Sequence, residues 1–159
     1  MSQEGDKTTI HPAATVLLLR EANPGVELLY LRRNAELSFH GGAWVYPGGR
    51  IDHEDFADDH GDLDAAARRA AVREAKEEAG IDIDPTTMVQ LAEWTTPAIR
   101  PKRFRTWFFA ARAMTREVEI DGGEIHGFRW MQPRAALDLQ SIGEIDLLPR
   151  IGFDIEEHR

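Results

Sequence analysis

The chain contains no cysteine. That excludes disulfides, thiolate metal sites and cysteine nucleophiles. It fits a reducing compartment, and a cytoplasmic location is expected. No stretch approaches the roughly 18 consecutive apolar residues of a spanning helix, so no membrane partner is expected. The opening MSQEGDKTTI has neither the basic nor the apolar region of a secretion signal, and residues 1–10 are expected to be mobile. Positive charge is also scarce: 19 Lys and Arg face 28 Asp and Glu, a formal net charge of -9. A field of that sign opposes nonspecific binding to nucleic acid, so no such partner is expected. A phosphate-bearing ligand would have to be met by metal ions or by a local basic patch.

What is present reads as one domain over the 159 residues. That length can bury roughly 70% of the unfolded chain's surface. There is no repeat or linker. Pro12 to Arg20 holds a short, partly β-branched apolar run, a buried strand. Asn23-Pro24-Gly25 marks a turn, and Val26 to Arg33 the partner strand. Ala43 to Tyr46 is a short strand ending at the turn signal Pro47-Gly48-Gly49. Asp52 to Asp62 is polar and reads as loop. Leu63 to Ala79 is rich in Ala, Arg, Glu and Lys, strong helix formers, with Asp62 as N-cap and Gly80 just past the end. Met88 to Thr95, Phe104 to Ala113 and Ile125 to Met131 read as strands. Pro133 opens a short helix, and a final helix is expected from Ile145. This order predicts an α/β fold, a mixed sheet with helices on its two faces.

The chemistry concentrates on the long helix. At about 100° per residue, Glu77 and Glu78 fall roughly -60° and +40° from Glu74, so three carboxylates share one face. They repel one another, and a hard divalent cation with oxygen ligands relieves that repulsion. Charge runs on exposed helices are common, however, and Arg73 can pair with Glu77 at i+4. The helix alone therefore leaves a solvated face open as a reading. Upstream, Tyr46-Pro47-Gly48-Gly49-Arg50-Ile51-Asp52 runs into paired glycines, whose backbone can approach a ligand closely.

Together these segments resemble the Nudix box, G-x5-E-x7-R-E-U-x-E-E-x-G-U with U a bulky apolar residue. Gly49 matches its first glycine. Arg73, Glu74, Glu77, Glu78, Gly80 and Ile81 match its second half. The resemblance implies a Nudix α/β/α sandwich and a Mg²⁺ or Mn²⁺ cofactor. It implies metal ligation by Glu74, Glu77 and Glu78, with the Gly49 carbonyl as a further ligand and Arg73 orienting a carboxylate. Ala75 is smaller than the box's usual apolar residue. Asp55 stands where the box has its first Glu, and an insertion of ten residues, roughly Phe56 to Ala65, separates it from the helix motif. Its acidic residues predict a mobile loop beside the site.

His40 to Asp52, Trp94-Thr95-Thr96-Pro97 and Pro101 to Phe109 resemble a narrower Nudix subgroup that includes coenzyme A diphosphatases. Arg105 replaces an Asp of that pattern, and a Gly-Gln-Val-Ala-Phe stretch is missing. The basic cluster Arg100, Lys102, Arg103 and Arg105 is a candidate phosphate site, or else a solvated strand edge. His40 is a further candidate substrate contact. Phe104, Trp107, Phe108, Phe109 and Trp130 read as core. The resemblance also implies one more carboxylate from a late loop, as metal ligand or base, for which Glu124 is the candidate, with Glu119 and Asp121 behind it; Glu74 or Glu124 would be the base.

The expected activity is metal-dependent hydrolysis of a diphosphate bond in a nucleotide-like small molecule. Coenzyme A or an acyl derivative is one candidate, and ADP-ribose or a dinucleotide the other. A catalytically silent nucleotide-binding domain on the same fold is the rival of another class. An mRNA-decapping enzyme is disfavoured by the net charge. The expected assembly is a monomer or homodimer.

Overall fold

The computed structural model describes residues 9–37, 41–57, 61–98, 103–114 and 117–148. The mobile segment expected at 1–10 falls largely outside them, as do the tip of the insertion at 58–60 and the end of the chain from 149. So do three candidate substrate residues, His40, Arg100 and Lys102.

Eight strands form one mixed sheet. They are β1 Ile10–Glu21, β2 Val26–Arg33, β3 Trp44–Val45, β4 Gly48–Arg50, β5 Val89–Thr95, β6 Arg103–Arg112, β7 Ile125–Met131 and β8 Leu147–Leu148. Strand β1 runs parallel to β6 along most of its length, and β6 pairs antiparallel with β5. On its other side β1 meets β2 only beside their connecting turn, at Leu19–Glu21. Beyond that the two strands diverge. β4 lines the separated half of β1, antiparallel at Ala13–Thr15, while β3 lines β2 at Leu31 and Arg32. Tyr46 and Pro47 carry the chain across the resulting wedge, with Val16 N–H donating to the Pro47 carbonyl at 2.9 Å.

Helix α1, Leu63–Ala79, covers one face and α2, Pro133–Ser141, the other. Strand alternation divides the core between them. Val16, Leu18, Leu29 and Leu31 pack with Ala66, Ala67, Ala70, Ala71, Ala75 and Ala79 of α1. Leu28 and Tyr30 point to the opposite side and pack with Ala136 of α2 and with Met131. The small alanines of the buried face of α1 let its axis lie close to the sheet. The expected α/β/α sandwich is therefore what forms.

The α1 boundaries follow their signals. Asp62 Oδ1 accepts from Ala65 N–H at 3.2 Å. Gly80 adopts φ 67°, the left-handed conformation of a helix end. Ile81 N–H then returns to the Ala75 carbonyl at 3.2 Å, and its side chain is fully buried.

Three readings change. Gly48–Arg50 is a strand rather than a turn, because β1 offers it a free edge after diverging from β2. Part of the supposed loop 52–62 is a 3₁₀ turn, His53–Phe56. The helix expected from Ile145 is replaced at Leu147–Leu148 by β8, which pairs parallel with β3. Three of the ten inserted residues, Leu63 to Ala65, belong to the first turn of α1. No helix among the described residues is long and apolar enough to cross a membrane.

Candidate active site

The wedge between β1 and β2 brings Gly48 and Gly49 against the C-terminal half of α1. Gly48 N–H donates to Glu78 Oε1 at 2.9 Å. A Cβ on Gly49 would come within 2.7 Å of Glu74 Oε1, so a larger residue here would push the Glu74 carboxylate aside. Glycine allows this approach of backbone to carboxyl.

Arg73 is the hub. Its Nε and Nη2 form a two-pronged pair with Asp55 Oδ1 and Oδ2, both at 3.0 Å. Its Nη1 donates to Glu74 Oε1 at 2.9 Å and to Glu77 Oε2 at 3.2 Å. Its Nη2 also reaches the Arg50 carbonyl at 3.2 Å and lies 3.3 Å from Asp52 Oδ2. These partners hold the guanidinium still more firmly protonated than usual, the Asp55 hydrogen bonds foremost. Such planar, charge-assisted contacts orient as well as bind.

Asp55 is only 4% exposed. Its Oδ2 also accepts Asp52 N–H at 2.7 Å. One turn before Arg73, Arg69 Nη1 donates to the carbonyls of Asp55 and Phe56, at 3.2 and 3.3 Å. The insertion thus leaves Asp55 at the hub. Of these contacts, only the place of Asp55 in the box pattern was visible beforehand. Asp52 lay in the glycine segment without an assigned role, and Arg69 had no motif to mark it.

The three glutamates are buried to different degrees. Glu78 is 6% exposed, the Glu74 side chain 15% and that of Glu77 58%. Burial pushes the Glu78 carboxyl from 4.5 up to about 8, with repulsion from Glu74, Glu124 and Asp121 adding to it and the Gly48 N–H opposing it. Burial likewise pushes Glu74 up to about 7, against the lowering pull of Arg73. Among the described residues, no three His, Cys, Asp or Glu side chains already converge on one point as a ligand set. Arg73 holds Glu74 and Glu77 instead. The donor chemistry nevertheless fits a hard dication: buried carboxylates crowd one another and a dication offsets their charge. Glu74, Glu77 and Glu78 are the side chains that would hold it.

A pH test follows. Both carboxyls bind protons more tightly folded than unfolded. The stabilisation this gives is complete below about pH 4.5 and is lost as pH rises through about 7 and then 8. The metal-free protein is expected to melt lower at about pH 8.5 than at about pH 5.5. Mg²⁺ should raise the melting temperature more at the higher pH, where the dication does not compete with protons. An equal Mg²⁺ effect at both pH values would count against ligation by these carboxylates.

The late stretch reaches the same region. Glu124 and Asp121 are exposed, and both act electrostatically on Glu78. Asp121 Oδ1 accepts from Gly123 and Ile125 N–H, at 2.9 and 3.0 Å. Glu119 sits against the end of α1, its N–H donating to the Ala79 carbonyl at 2.8 Å.

The described part of the basic cluster is engaged with protein. Arg105 forms an ion pair with Glu93 and lies 4.5 Å above the Trp107 ring. Arg103 Nε donates to the Thr96 carbonyl at 3.2 Å. Trp107, Phe108 and Phe109 are core, as expected. Phe104 and Trp130 are partly buried, and Trp130 carries Arg20 over its ring at 4.3 Å.

The chain belongs to the Nudix family: the NUDIX domain model matches residues 9–151. Solved structures share the fold. A NUDIX hydrolase from Alicyclobacillus acidocaldarius superposes with a TM-score of 0.78 at 23% identity, over 89% of this chain and 87% of that one. The NUDIX domain of Shewanella oneidensis NrtR, complexed with ADP ribose, gives 0.63 at 16% identity, over 82% and 78%. An Ap4A hydrolase from C. elegans gives 0.52 at 23%, over 83% and 90%. No curated protein sequence matches the chain.

Proposed function

We propose that this protein is a diphosphatase that hydrolyses a P–O–P bond in a nucleotide-like small molecule, with Mg²⁺ or Mn²⁺ as cofactor. The observation that carries the reading is the Arg73 hub. It fixes the Glu74 and Glu77 carboxylates, with Glu78 bonded to Gly48 and Glu74 lying against Gly49. A silent binding domain would have no use for three mutually repelling acids, one of them nearly fully buried.

When bound, the cation would acidify water and neutralise charge developing on the phosphoryl group. The chain's residues do the rest. Water oxygen bonds to one phosphorus, the bridging P–O bond breaks, and Glu74 takes the water's proton. Glu124 is the alternative base. Two phosphate-bearing halves leave.

The substrate favoured is a nucleoside diphosphate compound of the ADP-ribose or dinucleotide kind. The coenzyme A reading asked Arg100, Lys102, Arg103 and Arg105 to hold a 3′-phosphate, and of the two described residues Arg105 is paired with Glu93. A screen of diphosphate compounds, with products identified by mass, tests both. Coenzyme A and dephospho-coenzyme A should be cleaved at similar rates, and ADP-ribose faster. A preference for coenzyme A that disappears in Arg103→Ala would restore the coenzyme A reading. Absence of metal-dependent cleavage throughout the screen would overturn the diphosphatase itself.

A further inference from the structure

The late segment is tied to both sides of the acid cluster before it becomes β7. At its near end Glu119 N–H donates to the Ala79 carbonyl, one residue beyond Glu78. Val118 and Ile120 flank it and pack on the core that α1 covers. At the far end Asn34, the residue after β2, donates its backbone N–H to the Glu124 carbonyl at 2.7 Å. Asp121 to Glu124 therefore spans from the C-terminus of α1 to the end of β2. The Glu124 side chain is exposed, and it lies within electrostatic reach of Glu78.

An exposed loop carboxylate needs something to hold it. Asp121 closes the turn from inside, through the Gly123 and Ile125 N–H groups on its Oδ1. Gly122 takes φ 78° at the corner, a conformation that favours glycine. Asn34 holds the loop from outside. Its Nδ2 donates to the Gly123 carbonyl at 3.2 Å, and its Oδ1 accepts Glu36 N–H at 2.9 Å. The carboxamide is thus used at both ends. One end fixes the turn after β2, and the other fixes the late loop to that turn. With its backbone bond, Asn34 grips two successive carbonyls, those of Gly123 and Glu124. The pairing of β2 with β7 shifts register here, between Arg32 and Arg33. Such an irregularity interrupts the ladder and re-aims the side chains beside it. Sheet register alone therefore does not set Glu124; the contacts of Asn34 and Asp121 do.

We infer that Asn34 is a positioning residue that holds Glu124 at the acid cluster. It acts through the Gly123 and Glu124 carbonyls and not on the substrate. The inference deepens the diphosphatase reading and rests on it for the kinetic arm of its test.

That test is a double-mutant cycle of Asn34→Ala and Glu124→Gln. Mg²⁺ affinity is measured by calorimetry, stability by melting, and kcat and KM on the compound that the hydrolysis screen identifies. Glu124→Gln is expected to weaken Mg²⁺ binding about three- to tenfold, the scale of one nearby charge in a partly screened site. It should lower kcat about tenfold or more, the effect of a carboxylate close to the reacting water. Asn34→Ala should lower affinity and kcat about two- to fivefold, the lower end of coupling between residues in contact. KM should not change, and the surviving backbone bond to the Glu124 carbonyl keeps the loss small. In the Glu124→Gln background Asn34→Ala should cost nothing more in affinity or kcat. It should still shift the melting temperature as much as it does in the wild type. A merely structural role predicts losses that multiply in every readout, and that result would overturn the inference. So would wild-type Mg²⁺ affinity and kcat in folded Asn34→Ala, or in Glu124→Gln, which would leave nothing to position. Failure of the hydrolysis screen, with Mg²⁺ binding still non-additive in the two residues, would sink only the diphosphatase reading.

Discussion

A Glu78→Gln protein is expected to fold normally and to lose at least about 10²-fold in turnover, roughly 2.7 kcal/mol of barrier. The substitution preserves shape and helix propensity. The Gln carbonyl oxygen can still accept the Gly48 N–H that Glu78 Oε1 accepts now, at 2.9 Å. Only the charge goes. In the metal-free protein that charge is unfavourable, because burial and the neighbouring acids push the carboxyl up to about 8. The variant should therefore melt no lower than the wild type without metal, and higher at alkaline pH. Mg²⁺ should then raise its melting temperature far less. A purely structural role for Glu78 predicts the reverse: a lower melting temperature and an unchanged Mg²⁺ response. Glu77→Gln should show a rate loss of the same order. Its carboxylate is more exposed and is held to Arg73 at 3.2 Å. Near-normal rates in a folded Glu78→Gln protein would remove the proposed metal site.

The long helix was legible because its signals agree. Leu63 to Ala79 combines strong helix formers, an Asp cap and a terminal glycine, and the observed bounds are those residues. The strands Val26–Arg33 and Ile125–Met131 also match their expected bounds, the first through a run of apolar residues, Leu28 to Leu31, buried on both faces. β4 was hidden for a physical reason. Glycine pairs carry a turn signal, and only the divergence of β1 from β2, a tertiary event, gives Gly48–Arg50 a strand to pair with. β8 was hidden likewise, because two residues carry no periodicity and its pairing depends on where β3 ends up.

At the site, the shared face of Glu74, Glu77 and Glu78 could be read from spacing on one helix, and the place of Arg73 from the resemblance to the Nudix box. Glu78 differs from its neighbours in burial, which spacing cannot give. Arg105 looked available because its partner Glu93 lies on the adjoining strand, joined to it by sheet register alone. Arg69 and Asn34 act through contacts 14 and 89 residues away in sequence. A pattern within one segment cannot show them.

Asp55→Asn is expected to cost about 3 kcal/mol of stability, near the lower bound for breaking a buried ion pair. Asp55 is nearly fully buried. It receives three N–H donors: Arg73 Nε, Arg73 Nη2 and Asp52 N–H. Asparagine offers one carbonyl oxygen where two carboxylate oxygens now accept, and its amide hydrogens would face the donors on the other side. One or two donors would be left without an acceptor in a buried place. The cost stays near the lower bound because Arg73 keeps Glu74, Glu77 and Asp52 within 3.3 Å. Catalysis should suffer too. With Asp55 neutral, nothing equivalent fixes the plane of the guanidinium, and Glu74 and Glu77 lose a rigid partner. Urea unfolding measures the first effect, and Mg²⁺ affinity together with kcat measures the second. Asp55→Glu, which keeps both oxygens and restores the family's usual residue, should lose less on both counts despite its extra methylene. If the Asn variant is destabilised by under about 1 kcal/mol, the value of an exposed pair, then Arg73 is held by α1 alone. The 3₁₀ turn would then be covering, not part of the machinery that positions the acids.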